Sequence, residues 1–462
     1  MLLRLEVDGF KNLIGFDVLL GPFNCIAGEN GVGKSNVFDA IQFLALVADK
    51  SLLEAAQEVR STRTDSAGEP EHLFTAGGRR HSMRFAVEMV VPAQVEDDFG
   101  ATVRPSITLL RYELQIGYEP PRTHSRMGRL VVESEELRHI NRSDAPKHLR
   151  FPLSVREFRD AVVVGERRGG PFISTEAVND RITVHQDGGS RGRPRRALPT
   201  RAATTVVSTI NTADDPTILA ARREMQSWRR LALEPTALRA ADRFVDPPVI
   251  GSDGSHLAAA LFRIANEGTD EPEDVYARIA NRVSGLVGID VRSLRVDADE
   301  TRQLLSIMVA GANGVELPAR SLSEGTLRYL ALCVMLEDPL STGLIAMEEP
   351  ENGIHPASLA EMVQLVRDLA VDPARAPGAD NPLRQVIVNT HSPAVVQLVG
   401  EDDLLYASDM RVTQDGETVR ALGLHGLYGT WRTYERPGAS RTSLLAYLAQ
   451  PPGSQIPLFD VA

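Results

Sequence analysis

Apolar residues alternate with polar ones at Leu3, Leu5 and Val7, and again at Phe16, Val18 and Leu20. This period predicts two short strands, each with one buried face. Phe23-Asn24-Cys25-Ile26-Ala27 is a nearly continuous apolar run that stops at a glycine, the pattern of a buried strand feeding a tight loop. Val37, Ile41, Leu44 and Ala45 then recur at helical spacing. Far along the chain, Leu344-Ile345-Ala346-Met347, bounded by Gly343 and Pro350, and Val386-Ile387-Val388 predict two more buried strands, the first of parallel type. Leu327, Leu330, Ala331, Val334 and Met335 form the apolar stripe of a helix. In between, Tyr112-Glu113-Leu114-Gln115-Ile116, Leu130-Val131-Val132, Ile182-Thr183-Val184 and Val206-Val207 read as antiparallel strands. A helix is expected from about Pro216 through Trp228 to Leu238, and amphipathic helices at Leu257-Leu261-Ile264 and Val275-Ile279-Val283-Leu286. No heptad pattern lasts three or four repeats, so a compact helical insertion is expected where a long coiled coil would otherwise stand.

The ends of these elements carry the chemistry. Gly28-Glu29-Asn30-Gly31-Val32-Gly33-Lys34-Ser35 lies between the strand and the helix. Its glycines let successive N–H groups converge on a phosphate, at a helix terminus whose dipole favours an anion. Lys34 offers a point charge to β/γ-phosphates, and the Ser35 hydroxyl is a natural Mg²⁺ ligand. Glu348 and Glu349 close the acidic strand where α/β sheets place their ligands. One carboxylate can hold Mg²⁺ and the other can orient or deprotonate a water. Thr390-His391-Ser392-Pro393 ends the next strand, where a histidine can hydrogen-bond a γ-phosphate. Ser323, in Leu322-Ser323-Glu324-Gly325-Thr326, is a good N-cap. Taken singly, the acidic pair also fits a solvated turn, His391 a surface histidine and the Ser323 segment a capped core helix. Their order along the chain favours the functional reading.

Together these motifs resemble the ABC-type ATPase heads of the SMC/RecF/OLD superfamily. The likeness is greater to the bacterial and archaeal AAA-type "predicted ATPases", which include Septu- and PARIS-like antiviral-defence ATPases. Phe10-Lys11-Asn12-Leu13 looks like that family's opening strand. Glu351-Asn352-Gly353-Ile354-His355-Pro356, Asp253-Gly254-Ser255-His256-Leu257 and Trp431 fit its flanking signatures. The resemblance implies an α/β, RecF-like P-loop head with an antiparallel β subdomain, working with ATP and Mg²⁺. Asn30, Gly31, Gly33, Lys34, Ser35 and Asn36 would hold the nucleotide, and Ser35 and Glu348 the metal. Glu349 would be the catalytic base, assisted by Glu348 and the switch residue His391. Ser323 and Gly325 would contact a nucleotide held by another subunit. One phosphate loop and one signature per chain then imply a homodimer, or a higher even-numbered oligomer, with ATP in its interface. Two departures stand out: Glu348 replaces the usual aspartate, and Glu324 occupies the signature position where transporters carry glycine.

Bulk properties narrow the role. The 462 residues, 43% of them hydrophobic, suffice for more than one lobe. The expected division is head residues 1–90, a β-rich subdomain 91–215, a helical insertion 216–290 and the remaining head 291–462. No apolar run reaches the roughly 20 residues a membrane span needs, and no signal-peptide pattern opens the chain, so a cytoplasmic protein without a membrane partner is expected. Cys25 and Cys333 fall in predicted buried elements, which speaks against a disulfide framework. A formal net charge of −12 disfavours nucleic acid. The exception is a basic loop with Arg191, Arg193, Arg195, Arg196 and Arg201, which reads as a solvated hairpin tip or a phosphate contact. The favoured role is an ATPase that regulates or senses for a protein effector, such as a nuclease or toxin, in prokaryotic antiviral defence. The alternative is a RecF-like DNA-repair ATPase. An OLD-like nuclease is the least favoured, because the residues after His391 are too few for a Toprim domain and Glu401-Asp402-Asp403 is a poor substitute.

Overall fold

The computed structural model describes residues 1–59, 70–75, 82–121, 128–176, 181–187, 196–199, 201–268, 270–286, 291–414, 417–433 and 438–448. The chain divides into two compact units. The first comprises Met1–Arg229, Pro373–Pro377 and Gly400–Ala462, and the second Arg230–Asp372 and Gly378–Val399.

In the first unit, Leu2–Asp8 pairs antiparallel with Phe16–Leu19 on one side and Ser82–Val90 on the other. The sheet continues through Leu109–Glu119, Arg129–His139, Ile173–Glu176, Arg181–Val184 and Arg196–Pro199, eight strands in all. The predicted strands at 112–116, 130–132 and 182–184 lie within it. Phe23–Ala27, buried at every position, runs parallel to Leu404–Gln414, which forms a hairpin with Glu417–Gly426. The helix Lys34–Val47 presses Phe43 against Phe10 and Phe85, with ring centroids 5.4 to 5.9 Å apart and all three rings fully buried. These rings fix the helix, and thus the loop before it, against the antiparallel sheet.

Three local readings need correction. Phe10-Lys11-Asn12-Leu13 is a tight turn between the first two strands, with Lys11 at φ 50° and Phe10 bridging Leu13. Val206 and Val207 enter a 3-10 turn, Val207–Thr209, because their N–H groups donate to the buried Glu135 carboxylate. The helix from Pro216 stops at Gln226: the Ser227 hydroxyl bonds back to the Glu224 carbonyl and the Trp228 indole N–H to its carboxylate. The chain then runs into the strand Arg229–Leu231 and a short helix, Pro235–Leu238. Of the basic loop, Arg191, Arg193 and Arg195 lie outside the described residues, as does the tail from Pro451. Arg196 begins the strand Arg196–Pro199, and Arg201 pairs with Glu119 at 3.1 Å.

In the second unit, Gly343–Glu348 and Arg384–Thr390 pair in parallel, with Glu348 opposite Asn389. Helices Leu257–Glu267, Pro272–Ser284, Glu324–Glu337 and Leu359–Asp368 belong to the same unit. A small antiparallel sheet joins Asp242–Arg243, Leu304–Ala310, Ser293–Asp299 and Glu316–Pro318. Among the described residues no helix is long and apolar enough to cross a membrane. Cys25 and Cys333 are both buried and unbridged, and burial pushes the Cys333 thiol up to about 12.

Candidate functional site

The phosphate loop belongs to the first unit. Gly31 and Gly33 adopt φ of 85° and 103°, the left-handed region that glycine enters without strain. Gly33 has a second reason to be glycine: a Cβ there would lie 2.2 Å from Nδ2 of Asn12. That amide donates to the Val32 carbonyl at 2.9 Å and its Oδ1 accepts from Asn36 at 2.7 Å, so Asn12 clasps the loop from beneath. Asn12 is a supporting residue that the motif alone does not reveal. Its sequence signal is its place in Phe10-Lys11-Asn12-Leu13, the segment read as an opening strand. The ammonium of Lys34, buried to 6% exposure, turns inward and donates to the carbonyls of Gly28 and Glu29. A phosphate would offer it oxygens of higher charge in the same place. Asn30 and Gly31 are exposed at the loop tip, while Ser35 and Asn36 are half-buried in the first helical turn.

The second unit brings together Glu348, Glu349, His391, Ser323 and Gly325. The acidic strand is buried until Glu348, whose Oε1 lies 2.6 Å from Nη2 of Arg230. At Glu349 the backbone turns to φ 47°, uncommon for a residue with a side chain. Its N–H compensates by reaching both the Asn389 carbonyl at 3.1 Å and the Asn389 side chain at 3.0 Å. The carboxylate is then held from two sides: Oε1 lies 3.0 Å from Nδ1 of His391, and Oε2 accepts from Asn352 at 2.8 Å. This strained, doubly anchored geometry aims one carboxylate at a defined point, as a residue that orients water requires.

Behind it, Glu351 is 9% exposed and accepts from the Thr390 hydroxyl, which in turn accepts the Ser392 N–H at 2.9 Å. Burial pushes the Glu351 carboxyl up, the Thr390 bond opposes this, and the Glu349 charge adds to it. The chain through Glu351, Thr390 and Ser392 thereby ties the turn after the acidic strand to the loop that bears His391.

Ser323 caps the helix Glu324–Glu337 as expected, accepting the Thr326 N–H at 3.2 Å. Gly325 is buried, and a Cβ on it would meet the Gly353 carbonyl at 2.2 Å. Arg328 donates to the Asn352 carbonyl at 2.9 Å and pairs with Glu324 at 2.7 Å. The signature segment is therefore seated on the same Glu-Asn-Gly turn that supplies Asn352 to Glu349. A cavity of about 190 Å³ lies beside it, with Arg230, Arg328, Glu348 and Glu349 at its polar side and Leu332 and Met347 among its apolar walls.

A family profile described as "AAA domain, putative AbiEii toxin, Type IV TA system" matches residues 23–397. The DNA replication and repair protein RecF of Parabacteroides distasonis is 32% identical over 94 residues, 18% of this chain and 26% of that protein. Structural maintenance of chromosomes protein 1 of Schizosaccharomyces pombe is 48% identical over 54 residues, 11% of this chain and 4% of that protein. The chain thus spans about a quarter of the RecF relatives it matches. Among solved structures, an Smc head bound to the C-winged helix domain of ScpA covers 92% of this chain and 98% of its own, at TM-score 0.47 and 14% identity. An Smc head with an extended coiled coil, bound to the C-terminal domain of ScpA derived from Pyrococcus furiosus, covers 92% and 96% at TM-score 0.42 and 12% identity. With the family profile spanning most of its length, the chain belongs to that AAA-domain family and is a mixed α/β, ABC-type ATPase head of the SMC/RecF superfamily.

Proposed function

We propose that the protein binds and hydrolyses ATP with Mg²⁺, dimerises around the nucleotide, and uses the cycle to regulate or sense for a protein effector in antiviral defence. The observation that carries the hydrolytic reading is Glu349, set in a left-handed backbone and held by His391 and Asn352. In this reading Lys34 and the loop N–H groups bind the phosphates, with Asn30, Gly31, Gly33 and Asn36 shaping the loop. Glu349 orients the water and takes its proton, and His391 holds Glu349 and senses the γ-phosphate. Ser35 and Glu348 offer oxygen atoms alone, a donor set suited to a hard cation, and they would hold Mg²⁺. That ion, when bound, neutralises charge on the β/γ-oxygens.

Ser323 and Gly325 would serve the nucleotide of a second copy, which makes a symmetric dimer, or an even-numbered assembly of such dimers, the working form. The division proposed for the chain keeps residues 1–90 and 291–462 as the head, 91–215 as the β-rich subdomain and 216–290 as the helical insertion that carries movement to the effector. The toxin–antitoxin wording of the family description supports an effector-linked role. So does the acidic balance of the chain, in a cytoplasmic setting away from membrane and nucleic acid. A RecF-like role on DNA is the second reading, supported by the RecF segment match.

Light scattering on the Glu349→Gln protein with ATP tests the assembly. A dimer that outlasts the wild-type one is expected, and a monomer at saturating ATP would remove the shared-site scheme. Co-purification of nucleic acid without any protein would favour the DNA role.

A further inference from the structure

Glu348, Glu349 and Glu351 crowd three carboxyl groups into four residues. The second is held by His391 and Asn352 and the third by Thr390. At the first, Oε1 of Glu348 meets a full positive charge, the Arg230 guanidinium at 2.6 Å. Arg230 reaches it from the short strand that neighbours the acidic strand, along one wall of the 190 Å³ cavity. Both side chains keep about a third of their surface in water, 29% for Arg230 and 32% for Glu348. A pair this exposed is worth little, so a more highly charged ion can compete for the same oxygen.

We propose that Arg230 is a placeholder cation: it occupies the Glu348 oxygen until a divalent metal arrives, and by competing for that oxygen it sets the metal affinity of the site. The inference rests on the reading of Glu348 as a metal-holding acid. A doubly charged ion outcompetes a singly charged guanidinium at one carboxylate oxygen, so the exchange runs forward when metal and nucleotide are both present. In their absence the arginine relieves repulsion between Glu348 and Glu349. Arg230 would then be a positioning residue, acting on the metal through Glu348 and not by touching substrate.

The test is a Mn²⁺ titration of the full chain with a non-hydrolysable ATP analogue, free Mn²⁺ being read by electron paramagnetic resonance. Arg230→Gln should bind Mn²⁺ roughly three- to fivefold more tightly than wild type, the loss of one charge pair about a third exposed. Unchanged or weaker binding would overturn the proposal, since weaker binding would mean that Arg230 presents Glu348 to the metal. Glu348→Gln is the control: if it binds Mn²⁺ as wild type does, Glu348 is not a metal residue and the parent reading falls instead. Should Arg230→Gln not fold, Arg230→Lys, with a more strongly hydrated head, should still bind Mn²⁺ more tightly, and the same two contrary results apply.

Discussion

Gly325→Ala is the substitution whose effect the geometry specifies most fully. The added Cβ would stand 2.2 Å from the Gly353 carbonyl oxygen, where ordinary contact begins near 3.4 Å. The obstacle is backbone, so no side chain can rotate away. Either the start of the signature helix or the turn of Glu351, Asn352 and Gly353 must move by more than about 1 Å. The turn holds Asn352 on Glu349, and the helix start holds Ser323, so the shift disturbs both the proposed base of this chain's own site and the residue proposed to serve the second copy's nucleotide. Overpacking of this kind costs about 1–3 kcal/mol of stability. A displacement of about 1 Å at a positioning group costs on the order of a hundredfold in rate. The assays are urea denaturation followed by circular dichroism, phosphate release under saturating ATP, and fluorescent-nucleotide binding. Stability should fall by that amount and phosphate release by about a hundredfold, while nucleotide binding by the phosphate loop persists. Wild-type phosphate release at wild-type stability would refute the claim that the signature is seated on the catalytic turn.

Other outcomes follow from the same contacts. Gly33→Ala meets Asn12 at 2.2 Å at a φ of 103°, so nucleotide binding should weaken at least about tenfold, with about 1–3 kcal/mol lost in a thermal melt. Arg384, fully buried, donates to the carbonyls of Ser341, Leu369 and Asp338; Arg384→Met should cost at least about 3 kcal/mol in urea denaturation, because three acceptors lose their donor. Burial raises the Glu135 carboxyl from 4.5 to about 7 in the folded state. The folded chain therefore binds this proton more tightly than the unfolded one. Its contribution is fully present below pH 4.5 and is lost as pH rises through 7, about 3 kcal/mol in all. Glu135→Gln should remove that part of the pH slope in denaturation measured from pH 4.5 to 7.5; equal slopes would count against it.

What the sequence made legible was local. The strand Phe23–Ala27, its glycine loop and the helix from Lys34 follow from period and composition within a few residues of each other. So do the cap at Ser323 and the end of the acidic strand at Glu348. The misses depend on partners far along the chain. Val206 and Val207 have the apolar look of a strand, yet their N–H groups are claimed by a carboxylate at position 135. Asn12 holds the phosphate loop at the Val32 carbonyl, and Arg230 pairs with Glu348, across separations that no short-range pattern encodes. The left-handed backbone of Glu349 is likewise invisible in its residue type, because its N–H is satisfied by Asn389 forty positions later.

The central claim, that this head hydrolyses ATP with Glu349 as base, is tested most directly by phosphate release from purified wild type and Glu349→Gln at saturating Mg²⁺ and ATP, with bound nucleotide measured in parallel. The wild type should turn over, and the variant should retain ATP while releasing phosphate at least about a hundredfold more slowly. Equal turnover in the two proteins, or no turnover by the wild type despite bound ATP, would contradict it.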